Sequence, residues 1–208
     1  MKLVILGANG RTGAHVVREA LEDGADVTAV VRSPDKRPRH RHARLKVVIG
    51  DPSDAEFLVG VLRGQDAVIS TLGGRRPTKR AASVYYTSAA AMVEAAHRAG
   101  VKRLVVTSTA LLFPPRRLVD RVLAVMVHNV VQSATRMERI LRAPDLEVGV
   151  ARCGFLTDGG ESRYRASRDA LPKNGSSISR RSLARFLLDC ANGKWAGPGV
   201  YGVSSPAT

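Results

Sequence analysis

A doubly wound α/β fold with a parallel sheet is predicted from three features of this 208-residue chain. Short apolar runs alternate with helical patterns along the first half. Those runs are nearly continuous in Val, Leu, Ile and Ala, as strands covered on both faces require. The first of them leads directly into a turn with three glycines, Gly7, Gly10 and Gly13. Together these predict the Rossmann-type version of the class.

Strand 1 is read as Lys2 to Leu6. A helix from about Thr12 to Asp23 sets Val16, Val17, Ala20 and Leu21 on one face, and Gly24 ends it. Strand 2 is Asp26 to Val31, and a basic loop with Pro34 and Pro38 runs from Arg32 to Arg44. Strand 3 is Leu45 to Ile49, followed by a helix around Asp54 to Leu62 and strand 4, Ala67 to Thr71. A helix over about Ala81 to Ala99 stops at Gly100, and strand 5 is Val101 to Thr107. The rhythm loosens after Leu112, where Pro114 and Pro115 break the chain. A helical region from about Leu118 to Arg142 and strand 6, about Val148 to Arg152, come next. Asp158 to Ser177 reads as a polar loop; a helix from Ser179 to Asn192 and a short strand from Gly199 to Val203 close the chain. With no repeat and no linker, residues 1–208 are expected to form a single domain. Residues 1–110 would be the cofactor-binding core, and residues 111–208 a small C-terminal elaboration on the substrate side.

Composition narrows the function classes. The 44% apolar content is ordinary for a globular chain, and the 4% aromatic content leaves the core to aliphatic side chains. No apolar run reaches the roughly 20 residues that span a bilayer, and the opening residues lack the pattern of an export signal. Neither a membrane partner nor export is expected. Cys153 and Cys190 suit neither a disulfide framework nor a metal spacing, so no metal site is expected and a reducing cytoplasm is the expected compartment. The net charge of +15 admits nucleic-acid binding, attraction of an anionic cofactor or substrate, or solvated arginines without a partner. The charge is spread along the chain and aromatic residues do not interleave with it, so a nucleic-acid partner is not expected.

The glycine turn, Gly7-Ala8-Asn9-Gly10-Arg11-Thr12-Gly13, has the pattern G-x-x-G-x-x-G. Gly7 permits a tight turn, Gly10 a close approach of a pyrophosphate, and Gly13 close packing of helix on sheet. Backbone N–H groups at the helix start, with Asn9, Arg11 and Thr12 beside them, would hold the phosphates. Strand 2 ends in Arg32-Ser33 where a carboxylate would select the ribose hydroxyl of NAD. A guanidinium pairs with a 2′-phosphate instead, so the expected cofactor is NADP(H). Lys36 is the next candidate for that phosphate, and the other basic residues of the loop read as solvated. Asp51 can accept from the adenine amino group or serve as a plain turn residue. Thr71, Leu72 and Gly73 follow strand 4 at the edge where ligands of such sheets bind.

These residues resemble the atypical short-chain dehydrogenase/reductase group, and within it flavin reductase/biliverdin-IXβ reductase-like proteins, with NmrA-like regulators further off. The resemblance extends through Gly100-Val101-Lys102-Arg103, Arg136 to Arg142, Leu156-Thr157-Asp158 and Ile178 to Ala184. It implies a serine or threonine hydroxyl near the nicotinamide at the end of strand 5. In the relatives that hydroxyl is a serine; here Thr109 takes its place and Ser108 precedes it, unless both only bond the strand-end backbone. The Tyr-x-x-x-Lys pair of ordinary short-chain dehydrogenases is missing: Tyr85 and Tyr86 are followed four residues on by Ala89 and Ala90, and Tyr164 by Arg168. His128 is a candidate proton donor, with a structural role as the alternative. Cys153, Gly154 and Phe155 follow strand 6 where the relatives carry Arg-Pro and, in the reductases, a histidine. Phe155 could stack an aromatic acceptor or pack in the core. The reading is an NADPH-dependent oxidoreductase passing hydride to a planar small-molecule acceptor such as a flavin or quinone. Its rival is a non-catalytic NADP(H)-sensing regulator.

Overall fold

Leu3 and Ile5 of the first strand face one side of a sheet, Val4 and Leu6 face the other, and all four are buried. This two-sided burial is what a parallel sheet wrapped by helices demands. The structure, a computed structural model, describes residues 1–36, 41–73, 78–115, 118–160, 162–195 and 197–206. Its strands are β1 (Lys2–Leu6), β2 (Asp26–Val31), β3 (Leu45–Ile49), β4 (Ala67–Ser70), β5 (Arg103–Thr109) and β6 (Glu147–Cys153). Four more follow: β7 (Phe155–Thr157), β8 (Arg165–Arg168), β9 (Ser177–Ser179) and β10 (Gly199–Ser204). The helices are α1 (Arg11–Glu22), α2 (Ala55–Leu62), α3 (Lys79–Ala82), α4 (Val84–Ala99), α5 (Leu118–Met126), α6 (His128–Ile140) and α7 (Arg180–Ala191).

Among the described residues the main sheet has eight strands in the order β3-β2-β1-β4-β5-β6-β10-β8. Every pairing is parallel except β10 with β8. The Rossmann-type α/β fold class is therefore as the sequence predicts. One core layer joins Leu3, Ile5 and Val105 of the sheet to Val16 and Ala20 of α1 and to Leu183, Phe186 and Leu187 of α7. The other joins Val4, Leu6, Leu104 and Val106 to Leu58 and Leu62 of α2, Met92 of α4 and Met137 of α6. Each fully buried Leu, Ile or Phe among them contributes on the order of 1.5–3 kcal/mol.

The structure departs from the sequence reading at five places, the first being that the helix read over about Ala81 to Ala99 is two, α3 and α4, meeting at Ser83. Strand 5 runs to Thr109 and starts at Arg103, because the Val101 N–H bonds Ala96 O in the left-handed Gly100 cap of α4. The helical region after Pro115 is two helices, interrupted at Val127, whose φ of −107° and ψ of 31° leave the helical range. The expected loop between Asp158 and Ser177 contains β8, an antiparallel edge strand on β10. Phe155–Thr157 and Ser177–Ser179 pair as a small second sheet.

Candidate functional site

The strand order reverses between β1 and β4, and the crevice beyond the carboxyl ends of such strands is where open α/β sheets bind ligands. The glycine turn sits there. Gly7 has φ +82°, a left-handed value that a side chain rarely adopts, and its carbonyl accepts from Gly10 N at 2.8 Å. A Cβ on Gly13 would lie 2.1 Å from Gly7 O, so only a bare backbone lets α1 start this close to β1. Gly10 is the N-cap of α1 and offers no side-chain oxygen to the first N–H groups. Those uncapped groups, at the positive end of the helix dipole, form a cradle for an anion. Asn9 is exposed, and Thr12 is buried beneath the turn. Thr71 fastens the far wall: its N–H donates to Leu6 O at 3.0 Å and its hydroxyl lies 3.3 Å from the same carbonyl.

Arg32 is exposed beyond β2, and no described carboxylate pairs with it. Ser33 and Lys36 stand beside it, engaged with Asp35. The Lys36 ammonium lies 2.7 Å from Asp35. Its hydrogen bond, with a second from Ser33, lowers the Asp35 carboxyl to about 2. Arg37 and Arg39 of the same loop, and Gly74 after β4, lie outside the described residues. Asp51 accepts from Ser53 N at 2.8 Å, which is the turn role.

At the end of β5, Ser108 is buried and donates to Oε1 of Glu138 at 2.6 Å. Arg152, opposite Ser108 in register, grips the same carboxylate through Nε at 3.0 Å and Nη2 at 2.7 Å. Its Nη1 donates to Leu112 O at 3.1 Å, and its guanidinium lies over the Phe113 ring. Thr109 accepts from Leu111 N at 3.3 Å, capping a 3₁₀ turn over Ala110–Leu112. Cys153 is buried, donates to Ser108 O at 3.2 Å, and has its thiol pushed up to about 12 by burial. It is a neutral packed thiol. A Cβ on Gly154 would lie 2.1 Å from Ser176 O, so the chain itself occupies the space this glycine leaves. Phe155 is 65% exposed, which excludes a core role, and Leu72 is partly buried against α4 and its neighbours. His128 is exposed at the first position of α6.

Three contributors were not singled out from the sequence. Glu138 lies inside a segment recognised only by resemblance, and a carboxylate on the inner face of an amphipathic helix was the signal available. Tyr85 has Ala89, and no lysine, four residues on. Its hydroxyl lies beside Gly73, at 3.1 Å from where a Cβ there would be, and burial followed by the nearby Cys153 raises it to about 12. It is a neutral phenol, shifted opposite to the direction a lysine partner would impose. Asp158 forms ion pairs with Arg11 at the glycine turn and with Arg180 at 2.6 Å, tying the end of β7 to the start of α1. A separate cavity of about 260 Å³, lined by Arg103, Glu147, Cys190 and Trp195 among others, lies at the opposite edge of the sheet.

The family model described as NAD(P)H-binding matches residues 7–194. The photosystem II assembly factor Ycf39 of Guillardia theta is 31% identical over 166 residues, covering 79% of this chain and 49% of that protein. The chain spans about a third to a half of the length of several curated relatives it matches. A short-chain dehydrogenase/reductase of Veillonella parvula in complex with NADP superposes with a TM-score of 0.80 at 20% identity, covering 100% of this chain and 95% of that one. The anaerobillin reductase ChuY of Escherichia coli superposes with a TM-score of 0.78 at 22% identity, covering 100% and 98%. At these identities the two structures share the fold.

Proposed function

The chain belongs to the NAD(P)H-binding family, and we propose that it is an NADPH-dependent reductase of the atypical short-chain dehydrogenase/reductase type acting on a planar acceptor such as a flavin or quinone. The observation that carries the reading is the convergence, on one sheet edge, of an uncapped glycine turn, an exposed arginine that no described carboxylate pairs and an exposed phenylalanine. The residues fit the cofactor, because the glycine N-cap leaves both room and N–H donors for its pyrophosphate. When bound, NADPH supplies a hydride from its nicotinamide, and water supplies the accompanying proton to the acceptor.

The chain's own groups bind and orient. The N–H groups of Arg11, Thr12 and Gly13 face the phosphates, with the turn backbone of Gly7 to Gly10 around them. Arg32, with Ser33 and Lys36, selects the 2′-phosphate. Asp51 accepts from the adenine amino group, and Thr71, Leu72 and Gly73 line the path onward. Thr109 and Ser108 hold the nicotinamide end, Cys153 and Gly154 form its backbone wall, and Phe155 stacks the acceptor. None of these groups is a strong acid, so the rate derives from proximity and exclusion of water.

A sensor reading has its own support. Ser108, Thr109 and Cys153 each already have a partner within the protein. NADPH consumption with a panel of flavins and quinones separates the two. Turnover is expected, and a Ser108→Ala, Thr109→Val double variant is expected to lose about 10- to 100-fold at saturating NADPH. Unchanged turnover in the folded double variant discards the site assignment. No turnover by the native chain with any acceptor favours the sensor.

A further inference from the structure

Helix α5 leaves its apolar side uncovered. Leu118, Val125 and Met126 are each about three-quarters exposed, and Val122 is half exposed. At positions i, i+4, i+7 and i+8 they form one stripe along a nine-residue helix. Leu123, off the stripe, is partly buried, and α5 rests against α6. Leaving four large apolar side chains in water on one face forgoes most of what their burial would return.

Among the described residues of α5, the charge that borders the stripe is basic. Arg121 is exposed and, at 100° per residue, borders the stripe, while Asp120 falls on the far side. Arg116 and Arg117 immediately precede the helix in sequence. Lys79, at the start of α3, is exposed, and α3 packs on the same helix α6 as α5 does. An apolar stripe between arginines is the pattern of a helix lying in a membrane interface, with apolar side chains among acyl chains and guanidinium groups among headgroups. Anionic lipid adds about 1 kcal/mol of attraction per basic residue near the surface.

We infer that α5 is a peripheral docking helix for an anionic lipid surface. This revises the expectation of no membrane partner, which rested on the lack of a spanning segment; among the described residues no helix is long and apolar enough to cross a membrane. A second copy of the chain fits less well. Two-fold contact through this stripe brings like-charged arginine borders together on molecules of net charge +15. Nucleic acid has no use for the apolar stripe.

The test is sedimentation of the full chain with vesicles of phosphatidylcholine, with and without about a quarter phosphatidylserine. Binding is expected with phosphatidylserine, weak binding without it, and release by added salt. A Val125→Glu, Met126→Glu variant is expected to bind about tenfold or more weakly. Both positions are exposed, so its circular dichroism and NADPH binding should be unchanged. Absence of binding to anionic vesicles, or equal binding by the folded variant, overturns the inference. So does a native dimer that the variant splits into monomers, or duplex DNA binding that the same variant abolishes.

Discussion

The hydroxyl of Ser108 donates to the carboxylate of Glu138 at 2.6 Å, so a side chain expected at the nicotinamide is anchored in a buried ion pair. Glu138 and Arg152 are 8% and 16% exposed in their side chains. A buried pair of this kind adds little over an apolar replacement, but removing one partner strands the other charge. Glu138→Ala is therefore expected to cost about 3–5 kcal/mol in urea unfolding. Ser108→Ala, which removes one neutral donor, is expected to cost about 1 kcal/mol. Equal costs would contradict the network as described.

The turn glycines should separate by role. Gly13 has backbone 2.1 Å from where a Cβ would stand, whereas Gly10 meets Gly7 O at 3.1 Å. Gly13→Ala should lower the melting temperature strongly. Gly10→Val should keep a native circular dichroism spectrum and lose NADPH binding, because its side chain fills the anion cradle. A Gly10→Val protein that binds NADPH normally places the phosphates elsewhere.

Asp35 engages Lys36 and Ser33, the groups proposed to meet a 2′-phosphate. Asp35→Asn should tighten NADPH binding several-fold and leave NADH binding unchanged, as read by fluorescence titration. Equal gains for both cofactors would show that the loop does not meet the 2′-phosphate.

Much of this site's scaffold was legible and part of it was not. Strands such as Lys2–Leu6 and Asp26–Val31 are apolar runs bounded by glycine and helix signals, as burial on both faces requires. Strand β8, Arg-Ala-Ser-Arg, sits on an edge with one neighbour and only partial burial, so it carries no apolar signature. The break at Val127 has neither glycine nor proline to announce it. At the site, the glycine turn follows from backbone geometry and reads directly from residue type. The partners of Ser108 do not, because Glu138 is 30 residues away and meets it only through tertiary packing.

His15 gives the pH dependence a sign. Burial, then Arg18, holds its imidazole below the ordinary 6.5, and Arg18 Nη2 lies 3.0 Å from Nδ1. The unfolded chain therefore binds the proton more readily than the folded one. The His15 contribution is fully present above pH 6.5 and is lost as the pH falls below it towards the lower folded value. Unfolding free energy measured from about pH 7 to 5 should fall more steeply for the native chain than for His15→Gln. Parallel profiles would show that His15 does not set this pH dependence.

Titration calorimetry of the native chain with NADPH and with NADH tests whether Arg32 makes this edge a site for NADPH. NADPH is predicted to bind about tenfold or more tightly, a difference of about 1.4 kcal/mol, with the preference lost in Arg32→Ala. Equal affinities for the two cofactors, or an Arg32→Ala protein that keeps the preference, would contradict it.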